Sequence, residues 1–261
     1  MSEHVVELDG VRKTFRDFWL RPLAEAVCGV TLTVERGDVF GLLGPNGSGK
    51  STTLKMVLGL IAPTAGRVRL FGSDPRSRAV RSRLGYLPEL SALHPFLTAR
   101  ETLRYHAGLA GMGGVAARTR VDELIEEMGL SAAANRPVGG YSKGMQRRVA
   151  FAAALVAKPE LLVLDEPTSG LDPIGTREVK NRMSVLAKGG MTILVTSHHL
   201  FDMQDVCSRV AILSQGRVVG SGDVAGIVER STDKRHALEE FFEKAIASGG
   251  EDVAERGGGG R

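Results

Sequence analysis

Val39-Phe40-Gly41-Leu42-Leu43-Gly44-Pro45-Asn46-Gly47-Ser48-Gly49-Lys50-Ser51-Thr52 is the stretch that decides the fold. Val39–Leu43 is continuously apolar, the pattern of a parallel strand buried on both faces. A Gly-rich turn follows, and Lys50–Leu60 reads as a helix ended by Pro63. Gly44 to Ser51 satisfies G-x-x-x-x-G-K-[ST] in full, inside the strand–loop–helix frame that this motif requires. Glycines let backbone N–H groups converge on phosphate oxygens, and the helix start points its positive end at the same place. In such a loop Lys50 reaches the β- and γ-phosphates and the Ser51 hydroxyl ligates Mg²⁺. Gly44, Pro45, Asn46, Gly47, Ser48, Gly49 and Thr52 complete the expected cradle.

Working outward, Val5–Val11 and Val30–Val34 alternate apolar and polar residues like two strands. Phe15–Leu23 between them reads as an irregular aromatic stretch containing Pro22. Arg67–Phe71 and Arg83–Leu87 read as strands. After Pro88 the character changes. Thr98-x-x-Glu101 is a capping box, and Val121, Leu124, Ile125 and Met128 mark one buried helix face. Residues 89–158 are therefore expected to be mainly helical. Leu161–Leu164 is again a buried strand. A helix through Val179, Met183 and Leu186 stops at Gly189-Gly190, Thr192–Thr196 is the next strand, and Val210–Val219 suggests a hairpin turning at Ser214-Gln215-Gly216. Strands alternating with helices imply an α/β core with a largely parallel sheet. The expected organisation is one domain over residues 1–230, with a core of 1–88 and 159–230 and a helical insertion at 89–158. Residues 231–261 are expected to hold an amphipathic helix, Leu238 to Ile246, and a frayed Gly-rich end.

The phosphate loop alone says only nucleoside triphosphatase. Leu161-Leu162-Val163-Leu164-Asp165-Glu166 narrows it, because an apolar strand ending in two acids sets carboxylates at the ligand-binding edge of the sheet. Asp165 suits Mg²⁺, directly or through water. Glu166 suits proton acceptance from an attacking water.

With these motifs goes an ordered set of others, and together they resemble the ABC ATPase family over about residues 5 to 225. Tyr141-Ser142-Lys143-Gly144-Met145-Gln146 resembles the family signature, Ser169-Gly170-Leu171-Asp172 the D-loop, and Thr196-Ser197-His198 the switch histidine after its strand. Gly85-Tyr86-Leu87-Pro88-Glu89 occupies the Q-loop position. The resemblance implies an ABC ATPase core with an N-terminal antiparallel β-subdomain and an inserted α-helical subdomain. It implies ATP as substrate, with Lys50, Glu166 and His198 in catalysis and Ser51, Asp165 and Glu89 toward Mg²⁺. It also implies that Ser142, Lys143, Gly144 and Asp172 act on a nucleotide held by a second subunit, in a homodimer or heterodimer. Phe15 lies nearest the family position of the adenine-stacking aromatic, with Phe18 and Trp19 as alternatives. His199 is read as a partly buried or surface ring, and His4, His94, His106 and His236 show no metal-ligand spacing.

Two departures carry information. The signature reads Ser-Lys-Gly-Met-Gln, which adds the Lys143 cation and shifts the glutamine to Gln146. The Q-loop position holds Glu89. Both resemble the branch that drives drug, antibiotic, lipid or polysaccharide exporters, as do Leu171-Asp172-Pro173-Ile174-Gly175 and Leu238-Glu239-Glu240-Phe241-Phe242. The expectation is an export motor at the cytoplasmic face of the membrane, working with a polytopic permease subunit. The other readings are an ABC ATPase acting on ribosomes or DNA, which usually carries two cassettes or an inserted coiled coil, an importer motor, and, weaker, a P-loop kinase.

Bulk properties agree. The 261 residues are 43% hydrophobic and 25% charged, enough for a sizeable core. Lys and Arg number 34 against 30 acids, so charge does not call for nucleic acid as a partner. Arg76, Arg78, Arg81 and Arg83 read as a solvated helix face. Cys28 and Cys207 are far apart and read as free thiols of a reducing compartment. Met1–Gly10 lacks the apolar run of a signal peptide. The longest apolar stretches, Gly108–Ala117 and Val149–Ala157, fall short of the roughly 20 residues that span a bilayer.

Overall fold

The computed structural model describes residues 4–19 and 21–247. The expected Gly-rich end lies outside the described residues. In chain order the elements are β1 (His4–Arg16), β2 (Pro22–Glu35), β3 (Val39–Leu43), α1 (Lys50–Val57), β4 (Ala65–Leu70), α2 (Arg78–Arg81) and β5 (Leu84–Leu87). Then come α3 (Ala99–Leu109), α4 (Gly114–Glu127), α5 (Lys143–Leu155), β6 (Leu161–Asp165), α6 (Pro173–Lys188) and β7 (Thr192–Ser197). The chain continues with α7 (Leu200–Gln204), β8 (Arg209–Ser214), β9 (Arg217–Asp223), α8 (Val224–Arg230) and α9 (Ala237–Ala247).

A six-stranded sheet runs β5-β6-β7-β3-β8-β9. All its neighbours pair in parallel except β9, which turns back on β8 through Gln215-Gly216, both at positive φ. Each apolar strand run is continuous because both faces of this sheet are covered. Val39, Leu43, Leu162, Leu164, Ile193 and Val195 pack into one core with α3, α4 and α5. Phe40, Leu42, Leu161, Val163 and Leu194 face the opposite way, into a core shared with α1 and a three-stranded antiparallel sheet, β2-β1-β4. The period-2 alternation along each strand thus divides one apolar run between two cores. All helix between β5 and β6 lies on the first side.

Three expectations change. Phe15–Leu23 is not irregular throughout: β1 runs to Arg16 and β2 starts at Pro22, so it forms the closing end of one long hairpin. Register shifts along that pair absorb the broken alternation, and the end is closed by Asp17, which accepts from the Arg21 amide at 2.8 Å. Second, α1 ends at Val57 and not at Leu60, because Gly59 takes φ +66°. Third, the arginines do not share a helix face. Only Arg78 and Arg81 lie in α2, Arg76 pairs with Asp74, and Arg83 makes a two-point fork to Glu160 at 2.5 and 2.8 Å. That fork, together with Arg36, holds the Glu160 carboxyl down at about 2.

Candidate functional site

The phosphate loop hangs from the carboxyl end of β3, the strand between β7 and β8. Its glycines are dictated first by the protein itself. A Cβ on Gly44 would lie 2.1 Å from the Leu213 carbonyl oxygen, and one on Gly49 2.4 Å from that of Ala26. Gly47 has open space around it but takes φ +79°. The loop is wedged between β8 and β2 and borders a cavity of about 440 Å³. Asn46, Gly47, Ser48, Gly49, Lys50, Ser51 and Thr52 line that cavity, joined by Ala26, Glu89, Glu166, Ser169 and His198. The Ser48 hydroxyl is buried without a hydrogen-bond partner.

Lys50 is the first residue of α1 and is buried. Its ammonium donates to the carbonyls of Gly44 at 2.7 Å and Pro45 at 3.2 Å, and lies 3.5 Å from Glu166 Oε1. Glu166 follows β6, is 5% exposed and takes φ +44°, a left-handed conformation costly for a residue with a Cβ. Its other oxygen, Oε2, meets His198 Nδ1 at 2.9 Å and accepts from the His198 amide at 3.3 Å. A buried carboxylate thus stands between a cation and a titratable ring. The His199 ring lies 4.0 Å from that of His198, tilted by 41°, and lines no part of this cavity.

Asp165 closes β6. Its Oδ1 accepts from the Thr196 hydroxyl at 2.7 Å, and it does not line the 440 Å³ cavity. The Thr196 hydroxyl and carbonyl also take the Glu166 amide, at 3.1 and 3.2 Å. Thr196 therefore fixes both acids, a role that position in the sequence does not announce. Ser51 and Glu89 add hard oxygen donors. Among the described residues there is no group of three or more His, Cys, Asp or Glu able to hold a metal ion by itself. That donor set fits Mg²⁺, which takes one or two protein oxygens and completes its shell with phosphate and water.

The structure does not bring the remaining candidates to this cavity. Ser142 caps α5, accepting from the Met145 amide at 3.2 Å, with Lys143 and Gly144 in the first turn. Gln146 donates back to the Val138 carbonyl at 3.2 Å, which gives it a fold-holding contact. Asp172 caps α6 through the Gly175 amide at 2.7 Å. None of Ser142, Lys143, Gly144, Asp172 or Phe15 lines the cavity, and neither do Phe18 and Trp19. Phe15 is 41% exposed, with the Lys13 ammonium 5.5 Å from its ring centre. Phe18 and Trp19 are exposed and meet edge to face. Sequence reasoning missed Arg147, whose buried guanidinium reaches the carbonyls of Pro88, Glu89, Glu166 and Pro167. An arginine just over one turn into an amphipathic helix reads as surface, and only its burial singles it out.

With this geometry in place, comparison with known proteins is informative. A family profile described as ABC transporter matches residues 27–169. An uncharacterised ABC transporter ATP-binding protein of Nostoc sp. is 43% identical over 84% of this chain and 67% of its own length. The Nod factor export ATP-binding protein I of Paraburkholderia xenovorans is 37% identical over 87% of this chain and 74% of its own. Among solved structures, a dimeric ATP-binding cassette in a post-hydrolysis state bound to ADP and phosphate superposes with a TM-score of 0.75 at 27% identity, covering 84% of this chain and 98% of that one. Profile, relatives and fold agree with the site: the chain belongs to the ABC transporter family as an ATP-binding subunit, an ATPase with an ABC cassette fold.

Proposed function

We propose that this chain is the motor of an exporter, hydrolysing ATP between two nucleotide-binding subunits and passing the movement to a separate polytopic membrane partner. One observation carries the reading: the Glu166 carboxylate stands against Lys50 of the phosphate loop and His198 of the β7 end, inside one cavity. Glu166 takes the proton of the attacking water. Lys50 exchanges its contacts to the Gly44 and Pro45 carbonyls for the β- and γ-phosphate oxygens. His198 orients the water through the ring nitrogen not facing Glu166. Ser51 and Glu89, with Asp165 directly or through water, would hold Mg²⁺, which would supply charge neutralisation at the phosphates. Phe15 stacks on the adenine.

Ser142, Lys143, Gly144 and Asp172 lie away from the cavity of their own chain. We assign them to the nucleotide of a second subunit, where the α5 start presents a hydroxyl, backbone amides and the Lys143 cation to the γ-phosphate. ATP then holds the dimer together and hydrolysis releases it. The chain divides into a core of 1–88 and 159–230, a helical insertion at 89–158 and a C-terminal segment from 231. The insertion and core enclose a groove of about 710 Å³, lined by Arg81, Tyr86, Pro88, His106 and Leu109 among others, with Leu90 and Phe96 exposed in the same segment. This groove takes the membrane partner. No helix among the described residues is long and apolar enough to cross a membrane. We infer from the exporter reading that the subunit works from the cytoplasmic face through that partner.

The test joins both halves of the reading. Glu166→Gln, purified from detergent-solubilised native membranes, is expected to retain ATP, to dimerise on it and to turn over roughly 10² to 10⁴ more slowly than wild type. A polytopic membrane protein should accompany both forms in fixed proportion. Full turnover removes Glu166 from its role. A ribosomal or DNA-bound companion in place of a membrane protein overturns the transport reading and leaves the ATPase intact.

A further inference from the structure

Arg147 lies on α5, five residues beyond the Ser142 cap, and is 7% exposed. Its guanidinium holds two loops at once. Toward the end of β6, Nη2 donates to the Glu166 carbonyl at 3.0 Å and the Asp165 carbonyl at 3.4 Å, and Nε donates to the Pro167 carbonyl at 3.0 Å. Toward the end of β5, Nη1 donates to the Pro88 carbonyl at 2.7 Å, the Glu89 carbonyl at 3.0 Å and Ser91 Oγ at 3.3 Å.

The contacts fall where the backbone is under strain. Glu166 at φ +44° occupies a region unfavourable for a residue with a side chain, which persists only when its surroundings over-determine it. Both of its peptide groups are tied. Its N–H goes to Thr196 on β7, and its C=O accepts from Arg147 on α5 at 3.0 Å and from the Ser169 amide of its own loop at 3.1 Å.

We propose that Arg147 is a positioning residue for ATP hydrolysis, holding Glu166 in the left-handed conformation that aims its carboxylate at Lys50 and His198. This rests on the reading of Glu166 as proton acceptor. Without the guanidinium the Glu166 carbonyl keeps only the Ser169 amide, at 3.1 Å within the same loop, so the tie to α5 is lost, the following peptide shifts, and the carboxylate leaves the water it should deprotonate. The same guanidinium fixes Pro88, Glu89 and Ser91. Pro88 and Ser91 line the 710 Å³ groove, and Glu89 lines the nucleotide cavity. One rigid planar group thus joins the loop that borders the groove to the loop that carries Glu166. Lysine cannot replace it, because one ammonium with three donors does not span two loops as a planar fork with five donors does.

The experiment compares Arg147→Met and Arg147→Lys with Glu166→Gln and with the double variant Arg147→Lys/Glu166→Gln, in the same purified preparation. Thermal unfolding gives the folded fraction, and titration with ATP in the presence of EDTA gives affinity. The expected result for both Arg147 variants is a kcat per folded molecule lower by roughly 10- to 100-fold, the usual consequence of misplacing a catalytic group by about 1 Å. ATP affinity should stay within about threefold of wild type, since the phosphate loop is untouched. The double variant should be no slower than Glu166→Gln alone, because a residue acting through Glu166 has nothing left to position. A purely structural role would lower thermal stability but leave kcat per folded molecule at the wild-type value, which overturns the proposal. Losses that multiply in the double variant overturn it as well. If Arg147→Met does not fold, Arg147→Lys, which keeps a cation in the buried site, decides the matter on the same readouts. Should Glu166→Gln itself retain full turnover, the reading of Glu166 fails, and that result comes from its own single variant.

Discussion

Two loops face the same cavity and are built in opposite ways. The phosphate loop, Gly44 to Lys50, is shaped by backbone pressed on backbone: the Leu213 and Ala26 carbonyls occupy the space where side chains on Gly44 and Gly49 would go. The loop after β6, Asp165 to Pro167, is shaped by side chains arriving from far along the chain. Thr196 and His198 come from β7 and its end, Arg147 from α5, and Lys50 from α1. One loop carries its shape in a contiguous motif; the other acquires it only once the chain is folded. A loop that must grip any nucleotide identically gains from rigidity of its own. A loop that must be ready for hydrolysis at one moment can respond to the elements that hold it.

The sharpest way to break this comparison is at the glycines. Gly49→Ala places a Cβ against the Ala26 carbonyl at φ +104° and should destabilise the fold by about 3 kcal/mol. Gly47→Ala, at φ +79° with nothing nearby, should cost only about 1 kcal/mol in backbone strain. Denaturant unfolding of the two variants measures the difference, and equal losses would mean that packing does not shape the loop. Lys50 belongs to both loops. Lys50→Ala should weaken ATP binding by roughly 10- to 100-fold, the worth of one or two charge-assisted hydrogen bonds, read by calorimetric titration. Unchanged affinity would sink the cradle assignment.

The smallest effect concerns Cys207, beneath the sheet behind both loops. Burial pushes its thiol up to about 12 from an ordinary value near 9. The unfolded chain then gives up this proton at lower pH than the folded one. Stability should accordingly fall as pH rises from about 9 toward 12, with the group neutral in both states below that window. Cys207→Ala should flatten this part of the profile without altering turnover. Identical slopes for wild type and variant would show that the thiol ionises without unfolding.

The strands and the phosphate loop were legible for a physical reason. Val39–Leu43, Leu161–Leu164 and residues 193–195 are apolar on both alternate faces, and that pattern leaves little but a central parallel strand. Where the pattern is broken, reading stopped short. The closing end of the β1–β2 hairpin alternates poorly because its register shifts, so Phe15–Leu23 looked irregular while β1 in fact reaches Arg16. The arginines after Asp74 looked like one exposed face because local sequence cannot show that Arg83 reaches Glu160 on the far side of the inserted helices.

By itself, the amino-acid sequence determined the α/β core, the phosphate loop, the two acids ending β6 and the order of motifs that marks the family. These are properties of contiguous residues, written as periodicity and fixed spacing. Only the tertiary structure decided that Thr196 holds both acids, that Glu166 sits in a left-handed conformation between Lys50 and His198, that Gln146 ties back to Val138, and that Arg147 joins the loops after β5 and β6. Each of these joins residues far apart in the chain or fixes a backbone angle against its local preference. Neither leaves a trace in a run of neighbouring residues.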